Sequence, residues 1–214
     1  MAMKKAKQKV SETAGLARFM PAQKRSRERF EHILSCTEDL LKEKGGDGFR
    51  MSDLVVRTGV PFGSLYQYFP DKSAVIATLA GRYNELGRAC VAEELTGVES
   101  EKDLWPALQA ITEGYYRMFR EHPVMRDIWQ ATQADHALRR IDEEDGEFLS
   151  ALLAEAVRRV EPDADAQAVT AFSQLMMTLI AACVRHAIAL KPREADRMLA
   201  LFKQMLPKKM ATMT

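Results

Sequence analysis

Apolar residues recur at steps of three and four along most of the chain, and no strand-like alternation of any length interrupts them. One series runs through Phe30, Ile33, Leu34, Thr37, Leu40 and Leu41, and another through Leu104, Leu108, Ile111, Tyr115 and Met118. Steps of three and four place side chains on a single face of an α-helix. Glycine and proline are scarce, at 11 and 8 residues. The pattern predicts an all-α protein of about nine helices.

The charge of the chain is divided unevenly between its two ends. The net charge of +1 over 214 residues combines +5 in residues 1–72 with −4 in residues 73–214. Within the first 30 residues, nine Lys and Arg residues stand against two acidic ones. A basic end on an acidic remainder is typical of a chain that binds a polyanion through that end. A solvated basic tail is the alternative that charge alone leaves open.

The residue types that catalytic and metal sites require are not found in useful arrangements. The sequence contains no GxSxG, HExxH or GxxxxGK[ST] motif, and its three cysteines, Cys36, Cys90 and Cys183, form no CxxC pair. No apolar run follows the basic amino end, so we expect no secretory signal. We therefore expect a cytoplasmic protein that is not an enzyme and that holds no cofactor or metal.

Two very short helices carry the most informative pattern. Ser52–Thr58 and Pro61–Phe69 are separated only by Gly59-Val60, and helices of two turns need support from neighbouring elements. In the second helix Leu65 and Phe69 can face inward. The side chains expected to face outward are Phe62, Gly63, Ser64, Gln67 and Tyr68. This small polar and aromatic face suits insertion into a DNA major groove. The alternative is an all-helical binding or enzyme domain in which the hairpin is only structural.

Residues 25–85 resemble the DNA-binding domain of the TetR (tetracycline-repressor-like) transcriptional regulators. The residues that carry the resemblance are Leu54-Val55, Gly59-Val60, the run from Gly63 to Phe69, and Lys72. The resemblance implies a basic, flexible arm at 1–24, a helix-turn-helix DNA-binding domain at 25–72, and an effector-binding and dimerisation domain at 73–214. It also implies a repressor that binds a palindromic operator as a homodimer and is released by a small-molecule effector.

The resemblance further implies which residues contact DNA bases. Phe62, Gly63 and Gln67 match positions that face base edges in the family. The amide of Gln67 suits adenine N6 and N7, and Phe62 can offer apolar contact to a thymine methyl group. Gly63 permits close approach of the backbone. We expect Leu54, Val60, Leu65 and Phe69 to form the core that holds the two helices together.

Other residues match or suit contacts to the DNA backbone, which set register without reading sequence. They are Arg25, Arg27, Ser52, Ser64, Tyr66, Tyr68 and Lys72. Arg50 stands where the family has a Ser or Thr helix cap, so Ser52 is a candidate for that cap instead of a phosphate contact. Lys4, Lys5, Lys7 and Lys9 can reach a minor groove or remain a solvated arm.

Two helices near the carboxyl end have more apolar surface than one small domain can cover. In the segment Ala171–Leu190, 15 of 20 residues are apolar, yet polar side chains interrupt it too often for a membrane span. A helix that is apolar nearly all round is buried on more than one side. We therefore expect a homodimer. Its expected interface residues are Phe172, Leu179, Cys183, Ala187, Met198, Phe202 and Met205.

The resemblance implies an effector pocket in the second domain. Candidate lining residues are Trp105, Tyr115, Phe119, Trp129, Met176, Met177 and Ile180, with His136 and Arg139 as polar groups that could orient a ligand. A pocket of this composition would suit a small hydrophobic or aromatic effector. Aromatic and Met side chains at helical spacing are also typical of plain core, and that reading stays open for each of them.

Overall fold

A computed structural model of the chain describes residues 24–207. These residues form nine α-helices and no strand, which confirms the prediction of an all-α fold of about nine helices. The helices are α1 (Lys24–Gly48), α2 (Met51–Thr58), α3 (Phe62–Tyr68), α4 (Lys72–Thr96), α5 (Glu101–Glu121), α6 (Val124–Ala134), α7 (His136–Val160), α8 (Ala166–Ala187) and α9 (Pro192–Met205). The predicted arm, with Lys4, Lys5, Lys7 and Lys9, lies outside the described residues except for Lys24.

The described residues divide into two compact units. The first comprises residues 24–83 and 123–142, and the second comprises residues 84–122 and 143–207. The unit that contains α2 and α3 is therefore larger than the predicted domain at 25–72, because it includes the first part of α4, all of α6 and the start of α7. The division of function between 25–72 and 73–214 remains a prediction.

The first unit packs around α1, which contacts α2 and α6. The apolar face predicted for α1 is buried, from Phe30 and Ile33 to Leu41. Gly45 has a φ of 70°, which breaks the helical geometry, but the chain then resumes a helical path to Gly48. The absence of a side chain at Gly46 allows close packing, since a Cβ atom there would lie 2.7 Å from the Cβ of Ala131 in α6.

The second unit has its own core, to which α5, α8 and α9 contribute. Asp165 caps α8 by accepting hydrogen bonds from the backbone N–H groups of Gln167 and Ala168, at 3.1 and 2.8 Å. Helix α8 is long and apolar enough to cross a membrane by length and composition alone, with a mean hydropathy of 1.5 over its most apolar window. A core helix meets the same criterion, and α8 buries Val169 and Ile180 completely in the second unit.

Candidate nucleic-acid interface

The first helix of the hairpin, α2, is capped by an acidic side chain. Arg50 occupies the N-cap position, and its backbone N–H donates to Asp53 Oδ2 at 2.8 Å. Asp53 also forms an ion pair with Lys44 at 3.0 Å. The Arg50 N–H, followed by Lys44, lowers the pKa of the Asp53 carboxyl below its ordinary value. The expectation that Ser52 caps the helix is wrong, because Ser52 lies inside α2 with an exposed side chain and no hydrogen bond to a described residue.

A tight turn fixes the angle between α2 and α3. Gly59 adopts the left-handed conformation with φ 66° and ψ 8°, and its N–H donates to the carbonyl of Val55 at 3.0 Å. The hydroxyl of Thr58 donates to the carbonyl of Leu54 and accepts the N–H of Val60 at 3.1 Å. Few residues other than glycine tolerate this backbone conformation, so Gly59 is required by the turn itself.

The second helix, α3, buries one side and exposes the other. Leu54, Val60, Leu65 and Phe69 are all buried, as predicted from the sequence. Successive residues of an α-helix are rotated by 100°, so the four exposed residues form one continuous arc. They are Phe62, Gly63, Tyr66 and Gln67. None of the seven residues of α3 carries a charge. Ser64 lies at the edge of this arc and is half-buried.

Tyr68 was expected to face outward, and this prediction is wrong. Its side chain is buried in the first unit and lies against Phe30, with ring centroids 6.2 Å apart. Its hydroxyl shares a 2.7 Å hydrogen bond with the hydroxyl of Ser26 in the first turn of α1. Tyr68 follows Leu65 by three residues, so the two side chains lie on the same face of α3. Its predicted phosphate contact remains untested and would have to be made by this hydroxyl.

The two exposed aromatic side chains of α3 form a pair. The rings of Phe62 and Tyr66 are stacked, with centroids 5.8 Å apart and planes inclined by 15°. Their exposed fractions are 49% for Phe62 and 40% for Tyr66. Beside them, Gly63 leaves the helix backbone uncovered, because a Cβ atom at this position would meet nothing within 4 Å.

Basic side chains lie at the starts of α1 and α4, exposed in α1 and half-buried at Lys72 in α4. Arg25 and Arg27 are exposed in the first turn of α1 and form no ion pair with a carboxylate among the described residues. Lys72 is the first residue of α4, and its ammonium group lies 4.7 Å from the centre of the Phe49 ring. Arg57, in contrast, is engaged by Glu43 across α1 and α2. Arg25, Arg27 and Lys72 are therefore among the cations of the described residues that are available to a polyanion.

The predicted effector-pocket residues fall into both compact units. In the second unit Phe119, Met176, Met177 and Ile180 are buried in the core, and Trp105 and Tyr115 are half-buried. Trp129, His136 and Arg139 belong to the first unit. There His136 lines a groove of about 360 Å³, together with Lys72, Ser73 and Asp135. Ser73 donates a 2.7 Å hydrogen bond to Asp135, which lowers the pKa of that carboxyl.

The predicted dimer-interface residues also differ in exposure. Leu179 and Met205 are exposed, and Phe172, Cys183, Met198 and Phe202 are half-buried. Ala187 is fully buried in its own unit, so its side chain is not available to a partner. Leu175 and Leu201, which are 54% and 59% exposed, were not among the interface residues expected from the sequence. Each precedes a predicted interface residue by four positions, and that spacing could have identified them. We call Leu175, Leu179, Leu201 and Met205 the α8–α9 apolar surface.

The three cysteines are free thiols, and the Sγ of Cys36 lies 3.9 Å from each ring nitrogen of His32. Burial raises the pKa of Cys36, Cys90 and Cys183, which lowers the fraction of reactive thiolate at neutral pH. Among the described residues no three His, Cys, Asp or Glu side chains come together as a metal site would require.

Two models of known domain families match the chain. A model described as "Bacterial regulatory proteins, tetR family" matches residues 33–79, which include α2 and α3. A model described as "Tetracyclin repressor-like, C-terminal domain" matches residues 102–214, more than half of the chain.

Similar proteins are also described as regulators. YvdT from Bacillus subtilis (strain 168), an uncharacterized HTH-type transcriptional regulator, is 25% identical over 117 residues, which is 52% of this chain and 57% of YvdT. A TetR-family regulator from Streptomyces coelicolor has a TM-score of 0.62 at 24% identity, over 83% of this chain and 95% of that one. NemR from E. coli, in its reduced form, has a TM-score of 0.61 at 20% identity, over 85% and 99%. At these identities the solved structures show a shared fold.

Proposed function

The chain belongs to the TetR family of bacterial regulatory proteins, and on that premise we propose that it is a cytoplasmic, ligand-responsive repressor of transcription. It binds a palindromic DNA operator as a homodimer, through α3, and a small hydrophobic or aromatic effector releases it. The family to which it belongs consists of transcriptional regulators, in agreement with the expectation that the chain is not an enzyme.

The exposed arc of α3 is the observation that carries this proposal. Phe62, Gly63 and Gln67 face solvent and contribute nothing to the core of the first unit, whereas Leu65 and Phe69 on the opposite side are completely buried. A hairpin with only a structural role gains nothing from an exposed phenylalanine next to an uncovered stretch of backbone. A DNA-reading helix gains contact area and close approach to the groove floor from the same residues.

Base and phosphate contacts are divided between different side chains in this proposal. The side-chain amide of Gln67 can donate to N7 and accept from N6 of the same adenine, and only adenine offers this pair of groups. Gln67 is therefore the residue that selects a base by hydrogen bonding. Lys72, Arg25 and Arg27 contact phosphates. The hydroxyl groups predicted to do the same are those of Ser52, Ser64, Tyr66 and Tyr68. Phosphate contacts supply affinity that falls with salt and is independent of sequence.

The α8–α9 apolar surface supports the homodimer. Four large apolar side chains at least two-fifths exposed, on two helices that pack against each other, are costly to leave in water. A second copy of the chain offers the same surface, and a two-fold axis makes it self-complementary. The same axis places two α3 helices on the DNA, so the operator is expected to be palindromic.

The effector proposal has its support in the composition of the second unit. Phe119, Met176, Met177 and Ile180 supply an apolar interior, and an apolar interior accepts an apolar or aromatic ligand. Met side chains have three rotatable bonds and can move to admit such a ligand. Trp105 and Tyr115 are half-buried, and their polar groups could orient a bound ligand.

Two substitutions in the first unit test the division between base and phosphate contacts. Gln67→Ala should lower affinity for the operator by about 1–3 kcal/mol and leave binding to unrelated duplexes unchanged. Lys72→Ala should weaken binding to all duplexes about equally and reduce the slope of log K against log salt by about one. Equilibrium binding to the operator duplex and to unrelated duplexes at several salt concentrations measures both effects.

Matched controls come from the second unit. Gln167→Ala and Lys102→Ala remove exposed side chains of the same types and should leave every binding constant unchanged. If Gln67→Ala discriminates between duplexes as well as the unchanged protein does, Gln67 does not read a base. If no duplex binds more tightly than any other, the proposed function itself is wrong.

A further inference from the structure

The exposed arc of α3 carries an unusual set of groups for a surface that is to read DNA. It has no charged side chain, one amide side chain that can make two hydrogen bonds to a base edge, and two exposed aromatic rings. Bidentate hydrogen bonding is therefore available at one residue of the arc. Apolar contact is a second source of discrimination that these residues offer.

In the aromatic pair, the ring of Tyr66 supports the exposed ring of Phe62. Phe62 and Tyr66 are four residues apart, so their side chains lie one above the other on the helix. With centroids 5.8 Å apart and planes inclined by 15°, the ring of Tyr66 lies beside the ring of Phe62 in an offset stack. Stacking restricts the rotamers that Phe62 can adopt, and about half of its surface remains open to a partner.

The major groove displays one apolar substituent on its base edges, the 5-methyl group of thymine. Cytosine has a hydrogen atom at the same ring position, and 5-methylcytosine restores the methyl group without changing base pairing. An exposed phenyl ring is apolar, as this methyl group is, and offers it a contact without a hydrogen bond. A charged or amide side chain at this position would read a different edge.

We propose that Phe62, held in place by Tyr66, reads the 5-methyl group of a pyrimidine in each operator half-site, normally that of a thymine. This inference rests on the proposed function and gives the aromatic pair its part in operator choice. Phe62 contacts the methyl group, and Tyr66 acts as a positioning residue through its ring. The predicted phosphate contact of Tyr66 uses its hydroxyl, so the two roles can be separated.

Replacement of thymine by uracil removes the methyl group and keeps the base pair. In the operator duplex each thymine is replaced in turn, symmetrically in both half-sites, and equilibrium binding is measured. At one position the wild-type chain should lose about fourfold in affinity for each half-site, the value of one buried CH₂ group, and about 15-fold for both. Phe62→Ala should bind more weakly overall and show no loss with uracil at that position.

Variants of the second ring separate bracing from phosphate contact. Tyr66→Phe keeps the stacked ring and should keep the full loss with uracil, even where its overall affinity falls. Tyr66→Leu removes the stack and should reduce that loss. Phe148→Ala removes a phenylalanine of similar exposure in α7, outside the arc, and should behave as the wild type does.

A second pair of duplexes isolates the methyl group from the rest of the base. At the sensitive position, a duplex with 5-methylcytosine should bind the wild-type chain more tightly than the same duplex with cytosine, and Phe62→Ala should not distinguish them. The inference is overturned if uracil is tolerated at every thymine, if the half-sites contain no thymine, or if Phe62→Ala keeps the same loss. If no duplex is preferred over any other, the proposed function is wrong as well. That outcome is distinct from the three above, in which a preferred operator exists but Phe62 does not read a methyl group in it.

Discussion

Gly63 occupies a position at which the fold would accept a side chain. It lies in α3 with no positive φ, and a Cβ atom there would meet nothing within 4 Å. Packing and backbone conformation therefore give no reason for a glycine, and glycine costs a helix stability relative to alanine. Close approach of the backbone to DNA supplies a reason.

The substitution Gly63→Ala should accordingly separate folding from binding. We expect the free energy of unfolding to stay the same or to rise by up to about 1 kcal/mol, because alanine favours the helix. Operator affinity should fall on the order of tenfold, because the added methyl group holds the helix away from the groove. Urea unfolding and equilibrium DNA binding measure the two quantities.

Gly146 in α7 provides the control, because a Cβ atom there also meets nothing within 4 Å. Gly146→Ala should raise stability to a similar extent and leave DNA binding unchanged. Unchanged operator affinity in Gly63→Ala would show that the backbone of α3 does not approach the DNA closely.

The titration of Asp53 offers a further test at a single residue. The Arg50 N–H, and after it the Lys44 ammonium, hold its pKa below the ordinary 3.8. A depressed carboxyl pKa contributes stability that is complete above the ordinary value and lost as the pH falls through the folded value. Carboxyl NMR titration should give a midpoint below 3.8 that persists in Lys44→Met, because the backbone donor remains. A midpoint at 3.8 in the unchanged chain would remove the cap described for α2.

The core of the hairpin could be predicted residue by residue. Leu65 and Phe69 are four residues apart, which places them on one face of α3, and the family resemblance implied Leu54 and Val60 as their partners. Tyr68 was expected to face outward because its side chain ends in a hydroxyl group. Its position three residues after Leu65 instead places it on the buried face of α3. The bond between its hydroxyl and Ser26 joins residues 42 positions apart, and no local pattern reveals it.

At the scale of the elements, close packing of α1 against α6 depends on Gly46. A Cβ atom at Gly46 would lie 2.7 Å from the Cβ of Ala131 and 3.3 Å from its Cα. Because Ala131 has no flexible side chain to move, Gly46→Ala should destabilise the protein by about 1–3 kcal/mol. Chemical denaturation, with a fluorescence or circular dichroism readout, measures the change.

Gly81 in α4 belongs to the same compact unit and has open space around it. Gly81→Ala should therefore stabilise the protein slightly, by up to about 1 kcal/mol. Equal effects of the two substitutions, in either direction, would contradict the packing of α1 against α6 described above.

Helix positions followed from periodicity, and helix ends depended on details that periodicity does not contain. The apolar segment begins at Ala171, whereas α8 begins at Ala166, because Asp165 caps its first turn. Three glycines follow the apolar face of α1, at 45, 46 and 48, yet only Gly45 leaves the helical conformation before the helix resumes. Glycine permits a break at each position, and tertiary contacts decide which one is used.

At the scale of the whole molecule, the α8–α9 apolar surface predicts a dimer. We expect the unchanged chain to sediment as a dimer at micromolar concentration without DNA. The double substitution Leu175→Glu and Leu179→Glu places two like charges on a surface that must bury them against the partner, so it should yield a folded monomer. Operator affinity should fall with it, because one chain then contacts only a half-site. Analytical ultracentrifugation measures the first effect.

Leu86→Glu provides the control for that experiment. Leu86 in α4 is about as exposed as Leu175, lies outside the α8–α9 apolar surface, and should tolerate the charge without loss of the dimer. A monomer in the unchanged chain would remove the argument for a palindromic operator. Dissociation by Leu86→Glu alone would place the interface elsewhere.

The division into compact units was the part of the architecture that sequence patterns could not supply. Residues 123–142 join the unit of α2 and α3 through contacts such as that between Gly46 and Ala131, which are 85 positions apart. Periodicity describes a helix and its buried face, but it does not name the helix that covers that face. Of the exposed arc of α3, Phe62, Gly63 and Gln67 were predicted from the sequence, whereas Tyr66 was not among the side chains expected to face outward.

We propose that this chain is a dimeric regulator that recognises a specific DNA sequence through α3. Selection of bound fragments from sheared genomic DNA of the source organism, at near-physiological salt, tests it most directly. We expect enrichment of one two-fold symmetric motif, with half-sites about one helical turn or slightly more apart. Gln67→Ala should lose the preference at one position of each half-site. Retention of DNA without a motif, or no retention at all, would contradict this proposal.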